Sequence, residues 1–140
     1  MTLVQKYELP DDLYHHREHM WVRADGSEAT VGLNDFAQKL AGEIQFVELP
    51  EPEDEVSADE VVGTVETGKW VGKLYAPVTG TITDINEDID DDPSLINSDP
   101  YGDGWLFKIA MTDPSELQHL MQGPGAVTWL EDEIAKHATE

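Results

Sequence analysis

The chain has 140 residues, thirty of them acidic and eight basic, for a formal net charge of −22, and it contains no cysteine. Such a charge repels phosphate backbones and anionic lipid, which argues against nucleic acid and membranes as partners. The missing cysteine removes disulfides, thiolate nucleophiles and Cys-based metal sites. The length suits one domain over 1–140, large enough to bury a core without staples. Met1–Lys6 lacks the apolar run of a signal peptide and no stretch is apolar for long enough to span a bilayer, so a soluble, cytoplasmic monomer is expected. The acids are spread along the chain, which favours general solvation, as in a saline habitat, over one sharp docking patch.

In chain order, Met20–Arg23 and Ala29–Val31 enclose the Asp25-Gly26 turn signal and predict a hairpin. Met20 and Trp21 alternate there, so one is expected in the core and the other on the surface, with Trp21 as core filler. Asn34–Gly42 has an acidic start, Phe36 and Leu40 four apart and a terminal glycine, which predicts a short helix with its apolar side under a sheet. Ile44–Leu49 predicts a strand ending at Pro50, followed by an acidic loop over Glu51–Glu55. Glu60–Val65 and Leu74–Ile85 are rich in β-branched residues and predict strands on either side of a polar turn. Asn86–Pro93 and Asn97–Gly104 are dense in acids and turn formers. Trp105–Met111 predicts a closing strand. Asp113-Pro114-Ser115-Glu116 places a capping acid, a first-turn proline and a third-position glutamate, which starts a helix to about Met121. Gly123-Pro124-Gly125 breaks it. A last helix from about Val127 to Lys136 is expected to bury Trp129, Leu130 and Ile134, with His137–Glu140 fraying. Many short strands with C-terminal helices from about 113 make the chain mainly β with peripheral α-helices, a sandwich or flattened barrel.

The most informative feature is Lys69, in the run Val65-Glu66-Thr67-Gly68-Lys69-Trp70-Val71-Gly72 between two strand-forming stretches. A lysine at such a tip projects into solvent from a rigid base, where a ligase reaches it and an attached arm swings between partners. An ordinary exposed lysine is the bland alternative, and Lys73 is a rival that lacks the motif spacing. Trp70 beside it marks a contact, because a solvent-facing tryptophan at a hairpin tip more often serves recognition than solubility.

Glu66-Thr67-Gly68-Lys69 resembles the modified turn of lipoyl domains, and Gly80, eleven residues on, stands where those domains carry a recurrent glycine. A biotin carrier would show methionines on both sides of the lysine. His19, Trp21 and Val22 resemble the opening motif of glycine cleavage system H proteins. The likeness continues through Ala29-Thr30-Val31-Gly32-Leu33, Phe46-Val47-Glu48-Leu49-Pro50, Ala76-Pro77-Val78-Thr79-Gly80, Leu95-Ile96-Asn97 and Asp99–Leu106, covering about Tyr14 to Leu120. This resemblance implies a lipoyl/biotinyl-type β hammerhead and a non-enzymatic swinging-arm carrier with lipoate bound covalently as N6-lipoyllysine at Lys69. It also implies Glu66 and Gly80 as ligase-recognition or hairpin-geometry residues and His19 as part of the cleft beneath the arm.

Two departures bear on the cargo. H proteins place a glutamate after the motif histidine and commonly an acid four residues after the modified lysine, where they help to hold an aminomethyl ammonium. Here those cleft and docking positions are Met20 and Lys73, and the tip carries Trp70. The chain thereby resembles the branch of H-like lipoate-binding proteins that serves sulfur oxidation. That reading implies a lipoate-protein ligase, a heterodisulfide-reductase-like complex and a dihydrolipoamide dehydrogenase-type enzyme as partners. The alternatives are a glycine cleavage carrier working with the P, T and L proteins, and an unlipoylated interaction module. A catalyst in its own right is disfavoured, since no nucleophile has a base and oxyanion donors beside it in the pattern.

His15, His16 and His19 have ligand-like separations but no cysteine to complete a metal site, so solvated or hydrogen-bonded histidines are expected. The acids of 88–92 lack the glycine and closing glutamate of a calcium loop. Gly102 and Gly104 beside Asp103 are turn chemistry and no phosphate cradle.

Overall fold

In the computed structural model, residues 2–138 are described. Short strands β1 (Thr2–Val4) and β2 (Tyr7–Leu9) pair with each other. A six-stranded antiparallel sheet has the order β3 (Tyr14–His15), β4 (Met20–Asp25), β5 (Glu28–Leu33), β11 (Phe107–Met111), β10 (Gly80–Ile85) and β7 (Glu55–Val56). A three-stranded sheet has the order β6 (Ile44–Glu48), β8 (Val61–Thr67) and β9 (Val71–Tyr75). Helix α1 (Asp35–Ala41) follows β5, the single turns α2 (Asp88–Asp91) and α3 (Leu95–Ser98) lie between β10 and β11, and α4 (Pro124–Ala138) closes the described chain.

The main core lies between the two larger sheets. Val31, Phe107, Ile109 and Ile82 from one meet Val65 and Leu74 from the other, all with almost no exposure. A second cluster joins Val4, Leu9 and Phe36 to Ala126, Leu130 and Ile134 of α4. Helix α1 therefore turns Phe36 towards α4 and the N-terminal hairpin instead of under a sheet, and Leu40 is 55% exposed, against the expectation for that pair. The bounds of α1 follow its sequence signals. The Asn34 side chain accepts from the Ala37 amide at 2.8 Å, and Gly42 ends the helix at φ 86. Asn97 then secures the exit: its amide donates to Gly42 O at 2.8 Å while its Oδ1 accepts from the Ile44 amide at 2.9 Å.

Several expectations are corrected by packing. Met20 and Trp21 are both fully buried, since Met20 faces the main core while the 97–104 segment folds back over the other side of β4. The Trp21 indole donates to Pro100 O at 2.8 Å and lies on Gly32, where a Cβ would come within 2.5 Å of the ring. The stretch Leu74–Ile85 is two strands in different sheets, divided at Ala76–Thr79. The segment after Asp113 is a 3₁₀ helix, Pro114–His119. Its Asp113 cap accepts from the Ser115 amide, but Glu116 turns away from the cap and accepts from the Thr79 amide at 2.8 Å. Helix α4 begins at Pro124, so Gly123, at φ 59, makes the break while Pro124 and Gly125 form the next first turn. Trp129 is half-buried, with Leu130 and Ile134 buried as expected. The expected fraying concerns in part Thr139 and Glu140, which lie outside the described residues. Among the described residues no helix is long and apolar enough to cross a membrane.

Gly80 is buried where β10 meets β11, and a Cβ there would collide with the Ala110 carbonyl oxygen and Ile109. Gly80→Ala is expected to lower the unfolding free energy by about 1–3 kcal/mol in denaturant titration, as overpacking does.

His15 is fully buried, donates from Nε2 to Pro10 O at 3.2 Å and leaves Nδ1 without a partner. Burial holds its pKa below the ordinary histidine value of 6.5, partly offset by the Pro10 bond. The unfolded chain therefore takes up the proton first, and the stability carried by neutral His15 is intact above about pH 6.5 and is lost as pH falls towards the folded-state value. His15→Leu should flatten the stability-versus-pH curve below about pH 6.5 relative to wild type, by up to about 1.4 kcal/mol per pH unit.

Candidate functional site

The hairpin β8–β9 carries Lys69 beyond the core. Val65 pairs with Gly72 and is the last core-facing side chain on β8; past it come Glu66, paired with Val71, and then the turn. The Thr67 amide donates to Trp70 O at 2.8 Å and the Lys69 amide to Thr67 Oγ1 at 3.3 Å, so backbone bonds close the tip while the Lys69 side chain stands exposed. Gly68 lies outside the left-handed region, and a Cβ there would meet only the Gln45 side-chain amide at 3.7 Å, so the turn does not require glycine at that position. Gly72 is different: a Cβ would overlap the Trp70 indole, which lies across that glycine.

An open cleft of about 1480 Å³ adjoins the tip. Leu33, Phe36 and Val65 contribute apolar lining, the β9 strand and α1 form sides, and α4 presents Trp129 and Glu133. The volume exceeds the roughly 300–1,000 Å³ typical of small-ligand sites, leaving room for a tethered arm and water. Three carboxylates, Glu18, Glu43 and Glu133, line the cleft together with five cations, Arg17, Lys39, Lys69, Lys73 and Lys136, the last lying 4.0 Å from Glu133.

His19 fixes the wall. It sits at φ 67, its carbonyl accepts from the Asn34 amide at 2.9 Å, and its ring packs 4.9 Å from Trp129 and 5.2 Å from Phe36. Because Asn34 Oδ1 is committed to the Ala37 amide, its Nδ2 donates to His19 Nδ1 at 3.2 Å. Nδ1 is thus the acceptor, and Nε2–H donates to Glu133 Oε1 at 2.9 Å. One imidazole thereby ties the cap of α1 to α4.

The sequence-selected residues separate into two groups. Lys69, Trp70, Lys73 and His19 all line the cleft. Glu66 is partly exposed next to the tip, in register with Phe46 and Val71. Met20 does not line the cleft; it is fully buried in the main core, so its lack of charge says nothing about the arm's surroundings. Gly80 belongs to the other sheet, where the close approach of β11 leaves no room for a Cβ. The remaining histidines take separate protein partners, His15 the Pro10 carbonyl and His16 the Asp59 carboxylate at 2.5 Å. His16, with the Arg17 guanidinium, holds Asp59 below the usual carboxylate range. Sequence reasoning missed Trp129 and Glu133 as cleft residues. Their spacing, with Lys136 three further on, marks a helix face adjacent to the Ala126, Leu130 and Ile134 stripe.

A family model for the glycine cleavage H-protein matches residues 13–133. The chain belongs to the glycine cleavage H-protein family. It is 41% identical over 137 residues to glycine cleavage system H protein 4 of Aquifex aeolicus, covering 98% of this chain and 80% of that protein. To the H protein of Bacillus subtilis it is 45% identical over 113 residues, covering 81% and 89%. The crystal structure of a glycine cleavage system H protein from Mycobacterium marinum superposes with a TM-score of 0.70 at 36% identity, covering 79% of this chain and 97% of that one. The fold is accordingly the lipoyl-domain β sandwich, and the family consists of lipoyl carriers, not catalysts, with lipoate as covalent cofactor. In this H-protein-family chain the lipoyl group fits an exposed lysine on a backbone-closed tip beside an apolar-floored cleft.

Glu133→Ala removes the partner of His19 and should cost about 1.5–3 kcal/mol. Hydrogen exchange should quicken in the second half of α4, and Trp129 fluorescence should shift, with β8 and β9 left protected.

Proposed function

We propose that the chain, acting as one carrier domain over 1–140, is the H protein of a glycine cleavage system, with lipoate joined in amide linkage to Lys69. The observation that carries this reading is the pairing of an exposed Lys69 tip with a cleft that holds three glutamates. Bound lipoate supplies a dithiolane whose sulfurs exchange and carry groups between enzymes. The chain's own residues position and shelter that arm. The Thr67–Trp70 turn orients its root, Leu33, Phe36 and Val65 offer an apolar bed, and Glu18, Glu43 and Glu133 provide acceptors for a cationic terminus. Loss of an acid at Met20 does not weigh against aminomethyl cargo, because carboxylates reach the cleft from other positions. P, T and L proteins are then the partners, and the names of the curated relatives support this pathway.

One observation favours a second reading. Lys73 stands exposed in the cleft lining, and among the described residues no carboxylate is within ion-pair distance of it. A cation there suits an anionic sulfur cargo, shuttled to a heterodisulfide-reductase-like complex, better than an ammonium.

Coexpression with a lipoate-protein ligase should add one lipoyl increment to the intact mass, mapped to Lys69 and absent from Lys69→Arg. An unchanged increment in that variant overturns the assignment. With the lipoylated protein, glycine decarboxylase should turn over glycine. Lys73→Glu should raise its kcat/KM by up to about tenfold if the cargo is cationic, and a fall would favour the anionic sulfur cargo.

A further inference from the structure

The outward face of the β6–β8–β9 sheet holds large apolar side chains in solvent. Its register sets Phe46, Glu66 and Val71 in one cross-strand row and Glu48, Thr64 and Lys73 in the next outward row, with Val47, Val65 and Gly72 facing inward between them. Phe46 is 65% exposed and Val71 62%, and Glu48 and Lys73 are exposed at the two ends of their row. Among the described residues neither of those charges has an ion-pair partner. Trp70 is not part of this patch, because its indole lies over Gly72 of the inward row.

We propose that this face pairs with the same face of a second copy of the chain. Strand β8 is central, so a twofold axis parallel to the strands, midway between two such faces, lays β6 of one copy over β9 of the other. Each row then meets its own copy with the ends exchanged. Phe46 meets Val71 and Glu48 meets Lys73, each pair formed twice, and Thr64 meets its own copy on the axis. An aromatic ring thus packs on a β-branched side chain and each acid finds a cation, which is the self-complementarity that a twofold interface needs. A twofold axis across the strands would instead set Phe46 on Glu48 and Val71 on Lys73, without complementarity. Twisted sheets packed face to face cross at about −30°, which leaves these pairs within side-chain reach. One contact opposes the pairing: Glu66 also lies on the axis, against Glu66 of the second copy. That contact, the small patch and the net charge of −22 on each chain make the association weak and reversible. Strand direction is kept, so both Lys69 tips leave the pair at the same end. Lys73, which also lines the arm's cleft, is matched by a carboxylate only in the pair. The arrangement follows from the sheet register and not from lipoylation, so it stands apart from the carrier reading.

Sedimentation velocity of the full chain at about 200 mM salt should show a rapid monomer–dimer equilibrium with a Kd of about 0.1–1 mM. Lowering the salt to about 20 mM should weaken it, because the net charges then repel over a longer range. Phe46→Asp should abolish it. Lys73→Glu and Glu48→Lys should each weaken it about tenfold, by setting like charges opposite one another. Mixed in equal amounts, those two variants should associate about as tightly as wild type, since each supplies the charges that the other lacks. Glu66→Gln should tighten the pair several-fold. Phe46, Glu48 and Lys73 are exposed and Glu66 is partly exposed, and circular dichroism confirms that each variant is folded. A mass that stays at one chain up to about 1 mM overturns the proposal. So does a dimer that ignores Phe46→Asp, or charge variants that do not complement each other. A chain that stays monomeric while Phe46→Asp loses binding to glycine decarboxylase overturns it as well, and gives the face to that enzyme.

Discussion

Everything at the functional end depends on where the hairpin leaves the core. Val65 and Leu74 are pinned between the two sheets, each buried side chain contributing about 1.5–3 kcal/mol. Opposite them in register stand Gly72 and Gly63, where glycine lets the neighbouring atoms approach. The base of the hairpin is held by burial and its tip by backbone hydrogen bonds, so Lys69 needs no core contact of its own. A modified lysine requires such a division: a root that does not move and a side chain with nothing to detach from.

The cleft wall obeys a different logic, one of directional bonds. Asn34 has two roles, with its oxygen capping α1 and its nitrogen facing His19. The cap assignment decides the amide orientation, the amide decides the imidazole tautomer, and the tautomer points a donor at Glu133. A residue 114 positions away in sequence is thereby placed beside the arm's cleft. Glu133 consequently enters the cleft already holding one hydrogen bond, so any cationic group it receives shares a carboxylate that is positioned in advance.

The strands around Lys69, the extent of α1 and the closing strand were legible because their signals are local: β-branched runs, an acidic start, a terminal glycine. What was not legible depends on what packs against what. Met20 and Trp21 alternate like a half-buried strand, and only the 97–104 segment folding over β4 buries both. Leu74–Ile85 has strand composition throughout, yet Ala76–Thr79 moves the chain from one sheet to the other. Glu116 has the spacing of a capping residue, but Thr79 offers it a better placed amide and hydroxyl. Gly80 matched a family pattern, and the reason for a glycine there is a carbonyl on the adjacent strand.

Charge shows the same distinction between composition and position. A net charge of −22 describes the average surface, but screening confines exposed charges to interactions within about 8–10 Å at physiological salt. Over that distance individual pairs decide: among the cleft-lining cations Arg17 lies 3.4 Å from Asp59, Lys39 3.1 Å from Asp35 and Lys136 4.0 Å from Glu133. Cargo selection is therefore a contest between individual groups. Glu133 is partly sheltered and already oriented by His19, whereas Lys73 is exposed and hydrated. A charge in the sheltered position acts through a lower effective dielectric and is worth more per contact than one in solvent. On that ground an ammonium beside sheltered Glu133 interacts more strongly than one beside exposed Lys73, so Lys73 alone does not count against a cationic cargo.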